Sequence, residues 1–122
     1  MKFCWTTIHV KSLEESIRFY HNIIGLGIVS QFEAGPDMKI AMLGEPGNAL
    51  IELIEQNGIS QESKGISIGF EVPSIEEAMA QIKQNQIEIK SGPFSPAPST
   101  TFFFVEDPNG LEVQIVSMDR VM

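Results

Sequence analysis

The segment Val10-Lys11-Ser12-Leu13-Glu14-Glu15-Ser16-Ile17 returns 62 positions later as Val72-Pro73-Ser74-Ile75-Glu76-Glu77-Ala78-Met79. The same offset carries Glu45-Pro46-Gly47-Asn48, ahead of the apolar run at 49–54, onto Asp107-Pro108-Asn109-Gly110 ahead of 111–116, without a gap. A chain that repeats itself in this way must fold as two copies of one unit. A site between the copies would then be built from equivalent positions of both.

Within each copy the elements follow from local chemistry. Ser12 with Glu15 and Ser74 with Glu77 have the spacing of a capping box, in which the hydroxyl accepts from the third helical N–H and the carboxylate reaches back to the cap. The first helix carries apolar Ile17, Phe19, Tyr20, Ile23 and Ile24, and Gly25 and Gly27 end it. The second runs from Ser74 to about Gln84. Gly25-Leu26-Gly27 follows a helix instead of opening one, so it is no phosphate-binding loop. A strand over 2–10 precedes the first helix, and strands over 27–32, 38–43 and 49–55 follow it. In the second copy the strand at 66–72 precedes the helix, and 87–90, 100–106 and 111–117 follow. Each copy is therefore βαβββ. The Pro-containing tetrapeptides make hairpin turns, residues 57–64 link the copies, and 91–99 is irregular, either a flap over a pocket or a plain surface loop. The whole is one α+β domain over 1–122, with module one at 1–58 and module two at 63–122.

Composition removes several function classes. A formal charge of −8 over 122 residues disfavours nucleic acid, whose phosphates need a basic surface. It suits a cationic ligand or plain solubility. No apolar run spans a bilayer, and Met1-Lys2-Phe3-Cys4-Trp5-Thr6-Thr7 lacks the apolar core of a signal peptide, so the expected setting is the cytoplasm with no membrane partner. The single cysteine, Cys4, rules out an intramolecular disulfide.

Side chains alternate between the two faces of a strand. One face carries Ile8 and Val10, Ile51 and Leu53, the set Ile66, Ile68, Phe70 and Val72, and Leu111, Val113 and Ile115. That apolar face packs on a helix. The other face carries Trp5, Thr7 and His9, then Leu50, Glu52 and Ile54, then Ser67, Gly69 and Glu71, then Glu112, Gln114 and Val116. A mixed polar and aromatic face is open to water or lines a cavity. Phe102 and Phe104 belong to the apolar supply of that cavity or to the core, depending on strand register.

The tandem βαβββ repeat, the stretch from Val10 to Leu26, the Ile51-Glu52-Leu53 strand and the Asp107-to-Val116 ending together resemble the vicinal oxygen chelate superfamily, which includes glyoxalase I, extradiol dioxygenases, fosfomycin-resistance enzymes and bleomycin-resistance proteins. The resemblance covers essentially the whole chain. It implies cupped mixed sheets around a central cavity, a small-molecule ligand and a homodimer. In the metal enzymes of that family one ligand comes from the first strand and one from the fourth strand of each module, positions that fall here on Trp5, Glu52, Ser67 and Gln114. Only Glu52 is an ordinary ligand for a divalent ion. The expectation is thus no metal and no other cofactor. A displaced ion held by His9, Glu52 and Gln114 with Glu71 or Glu112 is the alternative. Beside a pure interaction module with an empty cavity, two functions stay open. One is a binding protein, with Trp5, Thr7, Leu50, Ser67, Glu71, Phe102, Phe104, Glu112 and Gln114 contacting a small organic molecule. The other is a lyase or isomerase of the lactoylglutathione-lyase type, in which Glu52 is the base and His9, opposite it on the sheet, the acid or oxyanion donor. His9 is otherwise a substrate contact or a merely hydrogen-bonded histidine, and Trp5 a stacking wall or a core residue. Burial of Glu52 between Ile51 and Leu53 would raise its pKa unless a cation pairs with it.

Overall fold

A computed structural model of the chain describes residues 1–58 and 65–118. The fold divides into two compact units, Met1–Glu62 and Ser63–Met122. Unit 1 contains β1 (Trp5–His9), α1 (Leu13–Ile17), a π-helical segment (Arg18–Ile23), β2 (Ile28–Glu33), β3 (Met38–Leu43) and β4 (Leu50–Gln56). Unit 2 contains β5 (Ser67–Glu71), α2 (Ile75–Gln84), β6 (Ser91–Ala97), β7 (Thr100–Glu106) and β8 (Glu112–Met118). The sheet orders are β1-β4-β3-β2 and β5-β8-β7-β6. In each, the first strand runs parallel to the last and the remaining pairs are antiparallel. The βαβββ reading and the α+β class therefore hold for both halves. The registers repeat as well: Trp5 lies beside Leu50, and its counterpart Ser67 beside Glu112. Most of the linker expected at 57–64 lies outside the described residues, as does the expected start of module two at 63.

The helix starts obey only half of the capping-box expectation. Ser12 Oγ accepts from Glu15 N and Ser74 Oγ from Glu77 N, both at 3.2 Å. The return arms from Glu15 and Glu77 are not made among the described residues. Two other carboxylates act at these starts: Glu55 Oε1, projecting from β4, accepts from Leu13 N at 2.7 Å, and Ser74 Oγ donates to Glu76 Oε2 at 3.3 Å. A helix start anchored by a strand side chain couples α1 to the sheet beneath it. Glu55→Ala is expected to cost about 1 kcal/mol, read as a lowered urea midpoint with an unchanged slope, whereas Glu15→Ala should cost little.

The first helix departs from expectation in its second half, where the backbone widens to π geometry. Ile24 N donates to Phe19 O at 2.9 Å, five residues back, and Leu26 N to Tyr20 O at 2.9 Å. The added residue per turn lets the adjacent Phe19 and Tyr20 both sit inside, ring edge against ring face at a 4.9 Å centroid distance. Gly25, at φ +99, then ends the helix as expected.

The largest correction concerns the third element of the second half. Residues 87–90, expected as a strand, carry none, and the strand is β6 within the stretch read as irregular. Pro93 and Pro96 lack the N–H that a central strand needs, but β6 is an exposed edge bonded only to β7, where proline is tolerated. Its pairing shifts between Ser91 and Phe94 and again between Phe94 and Ala97. Gly92 crosses close over β7: at φ +98 a Cβ would stand 3.0 Å from Phe102 O and Phe103 Cα, which only glycine avoids.

Each unit has its own core. Val10, Tyr20, Leu43 and Leu53 are fully enclosed in unit 1, and Phe103, Val105 and Val113 in unit 2, joined by Leu111 and Ile115. The expected helix-side face is thus confirmed for Ile8, Val10, Ile51, Leu53, Leu111, Val113 and Ile115. Ile68, Phe70 and Val72 are only half-buried, and Ile66, which precedes β5, is 62% exposed.

The hairpin turns also hold, with different chemistry. Asp107 is buried, and its Oδ1 accepts from Asn109 N at 2.7 Å and Leu111 N at 2.8 Å while Asn109 Nδ2 donates to Oδ2 at 3.2 Å. The counterpart Glu45 is exposed and receives Asn48 Nδ2 at 3.2 Å. Among the described residues no helix is long and apolar enough to cross a membrane.

Candidate functional site

The face turned away from the helix in unit 1 is organised in cross-strand rows. Trp5 stands beside Leu50. Thr7, Glu52, Met42 and Ser30 form the next row across β1, β4, β3 and β2, and His9, Ile54, Ile40 and Phe32 the one after. Trp5 is 48% exposed, so it is not a core residue. Its indole is available to a flat group.

Glu52 is half-buried at the centre of this face, and Thr7 Oγ1 donates to its Oε1 at 2.7 Å. The expectation that His9 stands opposite Glu52 is corrected. Parallel pairing of β1 with β4 sets Thr7 beside Glu52 and moves His9 one row on, beside Ile54. An acid and base pair made of these two residues is not assembled; a hydroxyl–carboxylate pair is. His9 is exposed.

Unit 2 presents the equivalent face with other side chains. Ser67 lies beside Glu112, which pairs onward with Glu106; Gly69 lies beside Gln114, then Phe104 and Ser91; Glu71 lies beside Val116, then Phe102 and Phe94. The register decides the phenylalanine question. Phe103 points into the core, whereas Phe102 and Phe104 stand half-buried on the Gln114 face. Phe94, Phe102 and Phe104 form a chain of ring contacts with centroid distances of 5.7 Å and 5.6 Å. Lys90 Nζ lies 3.1 Å from Glu106 Oε1 and 3.7 Å from Glu88 Oε2. Its hydrogen bond to Glu106, the charge of that carboxylate and then that of Glu88 hold its pKa above the ordinary lysine value.

The candidate residues therefore gather on two faces. Trp5, Thr7, His9, Leu50 and Glu52 share that of unit 1; Ser67, Glu71, Phe102, Phe104, Glu112 and Gln114 share that of unit 2. Sequence reasoning missed Met42 and Phe94. Strand alternation over 38–43 carried the signal for Met42 once the antiparallel register with β4 is known. Phe94 carried none, because prolines flank it on an unrecognised strand. Among the described residues no three His, Cys, Asp or Glu side chains gather as a metal centre would require.

A family model described as Glyoxalase/Bleomycin resistance protein/Dioxygenase superfamily matches residues 2–115. A lactoylglutathione lyase from Salmonella typhimurium is 31% identical over 126 residues, covering 95% of this chain and 92% of the relative. One from Escherichia coli O157:H7 is 29% identical with the same coverage. Among solved structures, glyoxalase I of Leishmania major is similar at a TM-score of 0.83 and 22% identity, over 96% of this chain and 86% of that one. An antibiotic binding protein from a Streptomyces species is similar at 0.73 and 14% identity, over 98% and 97%. At these identities the structural likenesses speak for the fold alone.

Proposed function

Because the chain belongs to the Glyoxalase/Bleomycin resistance protein/Dioxygenase superfamily, we propose that it is a small-molecule binding protein of that superfamily whose inherited metal centre is degenerate. The observation that carries this reading is the donor set at four equivalent strand positions. Trp5 and Ser67 occupy the same position in β1 and β5, and Glu52 and Gln114 the same position in β4 and β8. An indole offers no lone pair to an ion, a neutral serine hydroxyl is a poor ligand, and glutamine is a weak one. The one carboxylate already receives the Thr7 hydroxyl. The set does not suit a resident divalent ion.

What remains is a surface for binding. In unit 1, Trp5 and Leu50 supply apolar contact next to the hydrogen-bonding groups of Thr7 and Glu52; in unit 2, Ser67 and Gln114 supply hydrogen-bonding groups on the face that carries Phe102 and Phe104, each face having the usual mixture of small-molecule sites. Resemblance to the family supports a cytoplasmic homodimer as the working form. The lactoylglutathione lyase relatives favour a second reading, a lyase or isomerase in which Glu52, oriented by Thr7, removes a proton next to a carbonyl with a displaced ion nearby.

Elemental analysis of protein purified without chelator or affinity tag, followed by titration with Ni²⁺, Zn²⁺ and Mn²⁺, separates the two. The expected result is far less than one ion per chain and no binding that depends on Glu52. Stoichiometric uptake that disappears in Glu52→Ala would sink the degenerate-site reading and put the lyase first.

A further inference from the structure

The chain has five asparagines, and two of them, Asn57 and Asn109, are followed by glycine. Before glycine an asparagine side-chain amide is open to attack by the next backbone nitrogen, because no Cβ stands in the way. The fold gives the two pairs opposite surroundings.

Asn109 is buried in the turn between β7 and β8. One carboxylate holds both of its nitrogens: the backbone N donates to Asp107 Oδ1 at 2.7 Å and Nδ2 to Asp107 Oδ2 at 3.2 Å. Gly110 N, the atom that would attack, donates to Asp107 O at 3.1 Å. Ring closure at this turn must first break these bonds, and burial keeps out the water that completes the reaction.

Asn57 directly follows β4, and both it and Gly58 are exposed. Among the described residues its side chain donates only to Asp37 Oδ1, at 3.3 Å, and Gly58 N donates to no group. The space at Gly58 is open as well, since a Cβ there would meet nothing within 4 Å.

We infer that Asn57 is a site of spontaneous deamidation, and that the fold directs this reaction to Asn57 and away from Asn109. Gly58 N, having lost its proton, forms a bond to Asn57 Cγ, and the side-chain nitrogen leaves as ammonia with a proton from water. Water then opens the succinimide. Breaking the new C–N bond gives aspartate, and breaking the original peptide bond gives isoaspartate. Either product adds one negative charge to a chain that already carries a formal −8. It also sets a carboxylate where an amide had donated to Asp37, at the end of the β3 and β4 pairing where Met38 stands beside Gln56. Isoaspartate further lengthens the backbone by one methylene.

The test incubates the protein at mildly alkaline pH, folded or in urea, and follows both asparagines by peptide mass mapping, with enzymatic methylation to count isoaspartate. In the folded protein Asn57 should convert at least about tenfold faster than Asn109, because a buried, hydrogen-bonded group reacts only through local opening. In urea the two rates should come within about threefold of each other, the local protection being gone. Gly58→Ala should slow conversion at Asn57 by about tenfold or more, its Cβ hindering ring closure. Amide exchange over 37–39 and 55–57 should be faster in converted protein than in fresh protein. Equal rates at the two sites in the folded protein, an undiminished difference in urea, an unchanged rate in Gly58→Ala, conversion without isoaspartate, or unaltered amide exchange would each overturn the inference.

Discussion

Phe103→Ala is expected to lower the free energy of unfolding by about 3–5 kcal/mol, the range for deleting an enclosed aromatic ring. Phe103 is fully enclosed, at the centre of β7 between Ile115 of β8 and the close crossing of Gly92 in β6. Backbone on both sides limits how far the structure can collapse into the space, which places the cost toward the upper part of the range. Phe102→Ala, one residue away on the solvent-facing side, should cost clearly less, because that ring is only half-buried. Urea denaturation of both variants, followed by far-UV circular dichroism, checks the register. Equal losses would mean that β7 has been assigned the wrong face.

Asp107→Ala should be the most damaging change outside the apolar cores. One carboxylate oxygen satisfies two backbone donors, those of Asn109 and Leu111, and the other receives the Asn109 side chain. Alanine would leave buried N–H groups without acceptors at about 1–3 kcal/mol each, partly relieved if water enters, for a net loss of about 2–4 kcal/mol. The matching change in unit 1, Glu45→Ala, removes a single contact between exposed groups and should stay within about 0.5 kcal/mol. Comparing the two urea midpoints tests the asymmetry. A loss for Glu45→Ala as large as that for Asp107→Ala would contradict it.

Much of the fold was legible because the repeat acts as its own alignment. Once Trp5 is equated with Ser67 and Glu52 with Gln114, one unit's strand order predicts the other's, and the extents of β3 and β7 were read to the residue. The errors have physical sources. Prolines 93 and 96 disguised β6, because an edge strand needs fewer donors than a central one. The π-helical segment kept an ordinary amphipathic pattern, and its wider turn is visible only in the bond from Ile24 to Phe19. The pairing of Glu52 was misread because alternation tells which face a residue occupies but not its neighbour on the next strand. Register supplies that neighbour, and it is Thr7. For the same reason Phe102 and Phe104 could be assigned to a face only once β7 was aligned with β8.

The parallel pairing that opens and closes each sheet also bears on how the chain finds its fold. Thr7 and Glu52 are 45 positions apart, and Gly69 and Gln114 are separated equally. Because the entropy lost in closing a flexible loop depends mainly on its length, both halves face nearly the same barrier to joining first strand to last. Any difference in their speed of assembly must then arise inside that loop. The hairpin of β2 with β3 carries a single register shift, between Ile28 and Ser30, whereas β6 shifts twice along β7 and admits more competing alignments before one prevails. Two copies of one topology, equal in the distance they must span, are thus set apart in time by a proline-bearing edge.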